Sequence, residues 1–353
     1  MKTKQLNIRE IARLAQVSPM TVSRALSSNP AVRITEATRN RVLEVCARFH
    51  YQPNEHFRRV NSRVPHTVAL LIPTLNLTVA DNGGFESYTD LNFSPCLFAV
   101  QNYLLEHDIE VLLCTASDRF IGGDRHLKMM RGGLVDGVIL WGITDVYQWV
   151  HGLDRELIPI VQMQTEAQCM TSPRVITDDY LAMRHLTERT LVAGHKRFSI
   201  LVHEPADIGV YQTRYRGVMD TLKAHGITPQ RTISIGNNAF QDGRQAVDTI
   251  LADTDRTTCV ISCVEVAAYG LLQECAERGI AIPGEFSVVS GGCVNLPGIL
   301  GALSGYRYDA PTIGREAGRM IFDLMSNRRT VFPAERQLIP EIQVTGKTLA
   351  PPM

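Results

Sequence analysis

The chain has 353 residues, more than twice an ordinary domain, so two to three folded units are expected. Its 36 basic and 36 acidic residues cancel, which excludes a uniformly basic nucleic-acid coat and a wholly acidic disordered tail. Apolar residues make up 44 % but never approach the roughly 18 uninterrupted apolar positions of a membrane span, so a soluble protein is expected, with no membrane partner. The neutral average conceals an asymmetry. Met1 to Arg63 holds two lysines and ten arginines against four glutamates, a net +8, and the rest of the chain carries −8.

The first residues lead into an amphipathic segment and not into a continuous apolar core, so no secretory signal is read and a cytoplasmic location is expected. The eight cysteines are scattered among apolar neighbours without a C-x-x-C pair. That pattern predicts reduced core thiols and no metal ligands.

Asn7 is placed to cap a helix whose apolar positions Ile8, Ile11, Ala12 and Ala15 fall at helical spacing. Ser18 caps a second helix with Pro19 in its first turn; Val22, Ala25 and Leu26 face inward, and Met20, Thr21, Ser23 and Arg24 lie elsewhere on its surface. A third helix, from about Thr35 to Phe49, contributes Val42, Val45, Cys46 and Phe49 to a three-helix core. A small cationic unit of this design fits helix-turn-helix geometry, in which the second helix enters the major groove; a bundle with merely solvated arginines is the alternative on charge and periodicity alone.

The residues themselves narrow the choice. Asn7-Ile8-Arg9-Glu10-Ile11-Ala12, then Val17-Ser18-Pro19-Met20-Thr21-Val22-Ser23-Arg24, then Tyr51-Gln52-Pro53-Asn54, closely resemble the head of a LacI-type (lactose repressor family) bacterial transcriptional regulator. The resemblance implies DNA-facing roles for Asn7, Ser18, Thr21, Ser23 and Arg24, with Pro19 and Met20 at the positions that select the operator. It assigns backbone contacts to Thr35, Thr38 and Tyr51, with Asn29 a weaker candidate in a loop of variable length. Arg24 can make a bidentate pair with guanine, while Met20 can only pack on an apolar edge such as a thymine methyl. Tyr51 has a second reading as a side chain packed on the third helix, and Ser18 as a cap alone.

Pro53 and Asn54 open a hinge that in related repressors becomes a short helix and wedges a leucine into the minor groove. Here Val60 holds the leucine position and Phe57 replaces a residue that is usually alanine, leaving open an apolar wedge or a linker in which Phe57 packs on the body. Asn54, Arg58 and Val60 are the hinge residues expected to meet DNA.

From Thr67 onward, strand-length apolar runs alternate with helix-period segments, predicting parallel doubly wound sheets covered by helices. Nearly 290 residues exceed one such unit, which favours two lobes and a ligand cleft at the carboxyl ends of strands. Asp178 through Ala182, Ala193-Gly194-His195-Lys196-Arg197, Arg214-Tyr215-Arg216-Gly217 and Pro283 through Val289 extend the family resemblance along this body. It implies a two-lobed, periplasmic-binding-protein-like fold: an all-α helix-turn-helix head at 1–52, a hinge at 53–66, and an α/β body at 67–346. The first lobe is expected at about 67–164 and 299–327, the second at about 165–298 and 328–346.

By the same resemblance Arg214 reaches into the cleft to bind an effector, with Glu265, Trp141, Gln164, Tyr308 and Pro73 at other cleft positions. An arginine fork suits vicinal hydroxyls or a carboxylate, though without the motif a surface salt bridge would be the ordinary reading. Trp141 can stack on a sugar face or simply fill the core. Relatives commonly carry G-F-D-D where this chain has Ser290-Gly291-Gly292-Cys293, and L-T-T-V-x-Q where it has Leu303-Ser304-Gly305-Tyr306-Arg307-Tyr308. Two tyrosines and Arg307 there suggest a larger, aromatic or anionic ligand, or a repacking of a lost contact.

The expectation is a homodimeric, operator-binding repressor controlled by a small molecule such as a carbohydrate or sugar acid, with no cofactor or metal. No leucine heptad follows the last strand, which argues against a C-terminal coiled coil. Catalysis has no foothold, since G-x-G-x-x-G, G-x-S-x-G, P-loop and H-E-x-x-H strings do not occur. A ligand-binding protein whose head only dimerises is the remaining rival.

Overall fold

The computed structural model describes residues 6–26, 34–51, 66–73, 77–79, 85–87, 92–143, 145, 147–156, 158–165, 167–203, 209–236, 238–252, 256–293, 303–326, 335–338, 341–343 and 346–352. The chain divides into two compact units, Met1–Pro65 and His66–Met353.

The first unit contains α1 (Ile8–Leu14), α2 (Pro19–Ala25) and α3 (Glu36–Arg48). Its α1 begins with a reciprocal capping box: Asn7 Oδ1 accepts from the amides of Arg9 (3.0 Å) and Glu10 (3.1 Å), while Glu10 Oε2 accepts from the Asn7 amide (2.7 Å). The turn into α2 takes its shape from Gln16, at φ 54°, with the Val17 amide donating to the Ala12 carbonyl at 2.9 Å. This closes α1 with a left-handed residue other than glycine. Ser18 follows at once as the cap of α2, so the turn is as short as two capped helices allow. Ile11, Ala12, Ala15, Val22, Ala25, Val42 and Cys46 form the buried centre, and Tyr51 packs against it, the second of its two readings.

The second unit holds two six-stranded sheets. In the first, β1 (Thr67–Pro73), β4 (Glu110–Ala116), β5 (Gly137–Trp141), β6 (Ile160–Met163), β7 (Arg174–Thr177) and β13 (Glu335–Leu338) run parallel in the order β13-β7-β6-β5-β1-β4. A short ribbon, β2 (Leu77–Val79) with β3 (Phe85–Ser87), stands apart. The second sheet has the order β14-β12-β11-β10-β8-β9. Its strands β8 (Phe198–His203), β9 (Arg231–Ile235), β10 (Cys259–Ser262), β11 (Ser287–Ser290) and β12 (Ser304–Arg307) are parallel, and β14 (Glu341–Gln343) is antiparallel to β12.

Both sheets are covered on two faces, which is why their central strands are apolar without alternation. In the first, Val68, Leu70, Ile139 and Val161 meet α4 (Phe93–Leu105) and α11 (Ala310–Ser326). Ala69, Leu71, Val138 and Leu140 meet Met129 and Met130 of α6 (Arg125–Arg131), which follows the short α5 (Asp118–Gly122). In the second, α7 (Asp179–Val192) and α8 (Gly209–Ala224) cover one face, α9 (Ala239–Leu251) and α10 (Glu265–Glu277) the other. Among the described residues no helix is long and apolar enough to cross a membrane.

The passages between sheets fall later than the expected lobe limits. Arg174–Thr177 pairs with β6 and so stays in the first sheet, which moves the first crossing from near Gln164 to the start of α7. Ser304–Arg307 pairs with β11, so the return comes after Arg307 and not within 293–300. Glu335–Leu338 then pairs with β7 and Glu341–Gln343 with β12, which places the last crossing after Leu338 and not near Asn327. The cause is common to all three: before each crossing the chain adds one more strand, β7, β12 or β13, to the sheet it is leaving.

Six cysteines are buried, as expected of core thiols; Cys114 is half-buried and Cys169 is exposed. Desolvation pushes the thiols of Cys263 and Cys293 up to about 12, and desolvation together with a hydrogen bond to Asp145 pushes Cys169 up to about 11.

Two glycines let α9 and α10 touch backbone to backbone. A Cβ on Gly270 would lie 1.9 Å from the Phe240 carbonyl oxygen, and one on Gly243 would lie 2.0 Å from that of Ala267. Gly270→Ala is therefore expected to cost about 3 kcal/mol of stability, read as a lowered urea midpoint at unchanged slope.

Candidate functional site

Two surfaces carry the chemistry. On the head, Val22 and Ala25 turn α2 inward, leaving Pro19, Met20, Ser23 and Arg24 exposed, with Met20 65 % accessible. Thr21 is half-buried; its hydroxyl lies 2.9 Å from Ser18 Oγ, which also accepts from the Thr21 amide at 3.1 Å. Ser18 is thus the helix cap, and it still presents its hydroxyl at the exposed helix start. Thr35 and Thr38 repeat the arrangement at α3, their hydroxyls 2.8 Å apart. Asn7 is committed to capping α1 through its side chain. Asn29, Asn54, Arg58 and Val60, like Phe57, lie outside the described residues.

The second surface is built around Arg214, which is only 3 % exposed. Its Nε donates to Asp179 Oδ1 at 2.8 Å, and Nη1 donates to the Cys263 carbonyl at 2.8 Å and to Glu265 Oε2 at 3.3 Å. Nη2 donates to the Tyr308 hydroxyl, and the hydroxyls of Tyr306 and Tyr308 (2.8 Å) both donate to Asp179 Oδ1. The guanidinium carbon also stands 5.5 Å from the Tyr211 ring centre and 5.7 Å from that of Tyr308. Burial by itself would pull the Arg214 pKa down. The oxygens of Tyr306, Tyr308, Asp179 and Glu265 outweigh it and hold the group above the usual arginine range. Burial pushes the Tyr306 hydroxyl well above the ordinary phenol range, so it remains a donor.

Apart from Tyr306, which lies within β12, the members follow the ends of parallel strands. Asp179 opens α7 after β7, Glu265 opens α10 after β10, Arg214 rides α8 after β8, and Gly292 follows β11. Two carboxylates at helix starts are favoured by the backbone dipole there, and the carboxyl ends of parallel strands are where such folds place ligands.

The expected cleft residues divide. Arg214, Glu265 and Tyr308 come together. Tyr308 is half-buried and packs on the cores of both lobes. Trp141 is 5 % exposed and lies in the first-lobe core edge-on to Phe93, ring centres 5.4 Å apart, which is the core-packing reading. Gln164 is spent on Thr177, accepting from its amide at 2.8 Å and donating to its hydroxyl at 2.9 Å. Pro73 ends β1, half-buried beside Gly142. Arg214 is neither a surface ion pair nor an open fork, because its partners already hold it.

Asp179 is the largest omission of the sequence reading. Asp178 through Ala182 was read only as part of the family resemblance, and nothing in it indicated that Asp178 would cap α7 while Asp179 turned inward. Asn92, buried just before α4, also escaped notice; its side chain donates to the Gly292 carbonyl at 3.1 Å and ties the first lobe to the second. A hollow of about 910 Å³ lined by Ile121, His126, Trp149, Arg155 and other first-lobe residues shares no residue with the Arg214 cluster.

The two stretches that depart from the family pattern turn out to be one adjustment. A Cβ on Gly291 would meet the Tyr306 hydroxyl at 2.7 Å and its ring at 2.8 Å, and a Cβ on Gly292 would meet Arg214 Nη2 at 2.8 Å. The glycines vacate the volume that the tyrosine and the guanidinium fill. Gly292 also has φ +71°, as does nearly Gly133 (+67°), where a Cβ would meet nothing within 4 Å. Gly133→Ala is expected to cost about 1 kcal/mol from backbone strain alone, and Gly292→Ala about 3 kcal/mol once crowding of Arg214 is added. Urea unfolding of the two variants gives the comparison.

Comparison with known proteins finds relatives for both the head and the body. The model for bacterial regulatory proteins of the lacI family matches residues 7–54, and that for a periplasmic binding protein-like domain matches 185–348. The HTH-type transcriptional repressor CytR of Escherichia coli strain K12 is 25 % identical over 350 residues, covering 98 % of this chain and 97 % of the relative. A lac repressor dimer bound to operator and the anti-inducer ONPF superimposes with a TM-score of 0.81 at 18 % identity, covering 98 % of this chain and all of the other. A complex of the transcriptional regulator CelR with cellobiose gives 0.66 at 21 %, again with 98 % and 100 % covered. The chain thus carries a lacI-family regulatory domain at its head and a periplasmic-binding-protein-like domain in its body, and over 98 % of its length it is similar to a transcriptional repressor.

Proposed function

We propose that the protein is a homodimeric transcriptional repressor that binds a pseudo-palindromic operator through α2 and is controlled by a small molecule received between the two lobes. The observation that carries the DNA half is the exposed polar side of α2, with Arg24, Ser23 and Met20 outward on a head of net charge +8. An exposed guanidinium at the end of a short capped helix can reach a guanine edge, and the hydroxyls of Ser18, Thr21, Thr35 and Thr38 at two helix starts suit phosphate oxygens. CytR is a repressor, and the lac repressor structure is a dimer on its operator, which supports the same reading for this chain.

A second copy has a surface to meet. Phe98 (60 % exposed) and Leu105 (63 %) stand two turns apart on α4, and Leu112 and Leu113 are exposed on the neighbouring edge strand β4. Apolar groups grouped in this way on one edge favour association, and two heads on one dimer match two half-sites.

For the effector, the Arg214 cluster sets the charge. One guanidinium faces two carboxylates, Asp179 and Glu265, and its donors are already engaged. That arrangement disfavours an anionic ligand, against the sugar-acid expectation, and favours a neutral polyol, nucleoside or amine-bearing sugar whose hydroxyls replace the Tyr308 hydroxyl, the outermost member. Differential affinity of that ligand for two lobe arrangements would shift the fraction of dimers able to hold DNA.

Three outcomes are expected. In gel shifts on DNA upstream of the protein's own coding sequence, Arg24→Ala weakens the specific complex roughly tenfold to hundredfold; an unchanged complex contradicts the assignment of α2. In thermal-shift screening, neutral or aminated sugars and nucleosides stabilise the protein, by about 2.7 kcal/mol at a hundred times Kd, and uronic acids do not. Phe98→Asp moves the protein toward monomer in sedimentation velocity without lowering its helix content.

A further inference from the structure

We propose a zinc-class metal site on the first lobe, formed by Asp145, His151 and Cys169. The carboxylate, imidazole and thiol atoms of these residues lie within 4.8 Å of one another, the one such grouping among the described residues. A divalent ion bound at 2.0–2.3 Å to each of three ligands spans roughly that spacing with modest side-chain rotation. The sequence reading missed it because the three, spread over positions 145 to 169, form no C-x-x-C or H-x-x-H spacing. They meet because Asp145 and His151 lie in the segment that leaves β5, and Cys169 lies in the segment that leaves the adjacent parallel strand β6.

The loop geometry holds the ligands in place before any ion arrives. Asp145 accepts from the amides of Gln168 and Cys169, at 2.9 Å each, one on each carboxylate oxygen. That fixes the position of Cys169 against Asp145, and the Cys169 thiol also donates to the same carboxylate, the proton that a bound ion would displace. His151 Nε2 stands 3.3 Å from the Asp145 carbonyl oxygen, so the ring already faces the same loop. Stapling a loop would account for Asp145 alone. It explains neither an imidazole beside that carboxylate nor why the one exposed cysteine of eight is the one placed there.

The donor set decides the metal. A thiolate with an imidazole selects zinc or a soft first-row relative over magnesium and calcium, which demand oxygen cages. Three protein ligands leave one position for water or an exogenous donor. Binding displaces the thiol proton and cross-links the two loops that follow Trp141 and Gln164, at the carboxyl ends of β5 and β6. The site lies apart from Arg214, and none of its residues belongs to that cluster.

The test uses untagged, chelator-treated full-length protein titrated with zinc chloride, and in parallel with cobalt(II) chloride. One zinc ion per chain is expected to be retained in equilibrium dialysis, with proton release, and cobalt is expected to give a thiolate charge-transfer band together with tetrahedral visible absorption. Cys169→Ser removes the charge-transfer band and weakens zinc binding at least roughly 100-fold; His151→Ala weakens zinc binding similarly while retaining the band at high cobalt. Both residues are exposed, so the variants should melt with the parent protein in the absence of metal. Failure to bind zinc at micromolar free concentration, or stoichiometric binding that survives Cys169→Ser, would overturn the proposal.

Discussion

The body of this protein is organised around a buried cation that cannot stand alone. Arg214 sits at 3 % exposure, and a guanidinium in that position is tolerable only if its charge is met and its donors are filled. Asp179 meets the charge from α7, Glu265 from α10, the Cys263 carbonyl takes a donor at the end of β10, and Tyr308 takes another. The second lobe's sheet and helices are thereby fixed relative to one point at their carboxyl edge. Because Tyr308 also packs on the first-lobe core, and Asn92 reaches Gly292, that point lies where the lobes meet.

The same constraint explains the unusual local sequence. A tyrosine at 306 needs room that a side chain at 291 would occupy, and Arg214 needs room that one at 292 would occupy. Glycines at both positions and tyrosines at 306 and 308 form one packing solution, with Gly305 pressed against the Ser290 carbonyl as its third small member. Read separately, these residues look like scattered losses of family features. Together they place aromatic groups where relatives commonly carry acidic ones, around Arg214, the exchange on which the proposed neutral or aminated effector rests.

Much of the fold was legible in the sequence. The caps Asn7 and Ser18 and a third helix starting near Thr35 were read for the helices described in the head, and apolar runs such as Val68–Ile72 and Phe198–Val202 marked buried parallel strands. What escaped was set by pairing and not by local pattern. Arg174–Thr177 and Glu335–Leu338 are short strands of mixed character, and their membership in the first sheet comes only from the neighbours they bond. In the body cluster, Arg214, Glu265 and Tyr308 were legible from the family pattern, and the structure brings them together. Asp179 meets Arg214 and Tyr308 from separate elements, and Asp145, His151 and Cys169 meet across the segments that follow two neighbouring strands, which periodicity cannot report.

The claim that Arg214 and Asp179 form the central constraint is tested most directly by a double-mutant cycle in urea unfolding, with Arg214→Met, Asp179→Leu and the pair combined. Each single variant leaves a buried charge without its partner and is expected to lose about 3–5 kcal/mol. The combined variant, with both charges gone, is expected to fall short of the sum by at least about 2 kcal/mol. Losses that add to within about 0.5 kcal/mol would show that the two residues act independently and would contradict the account.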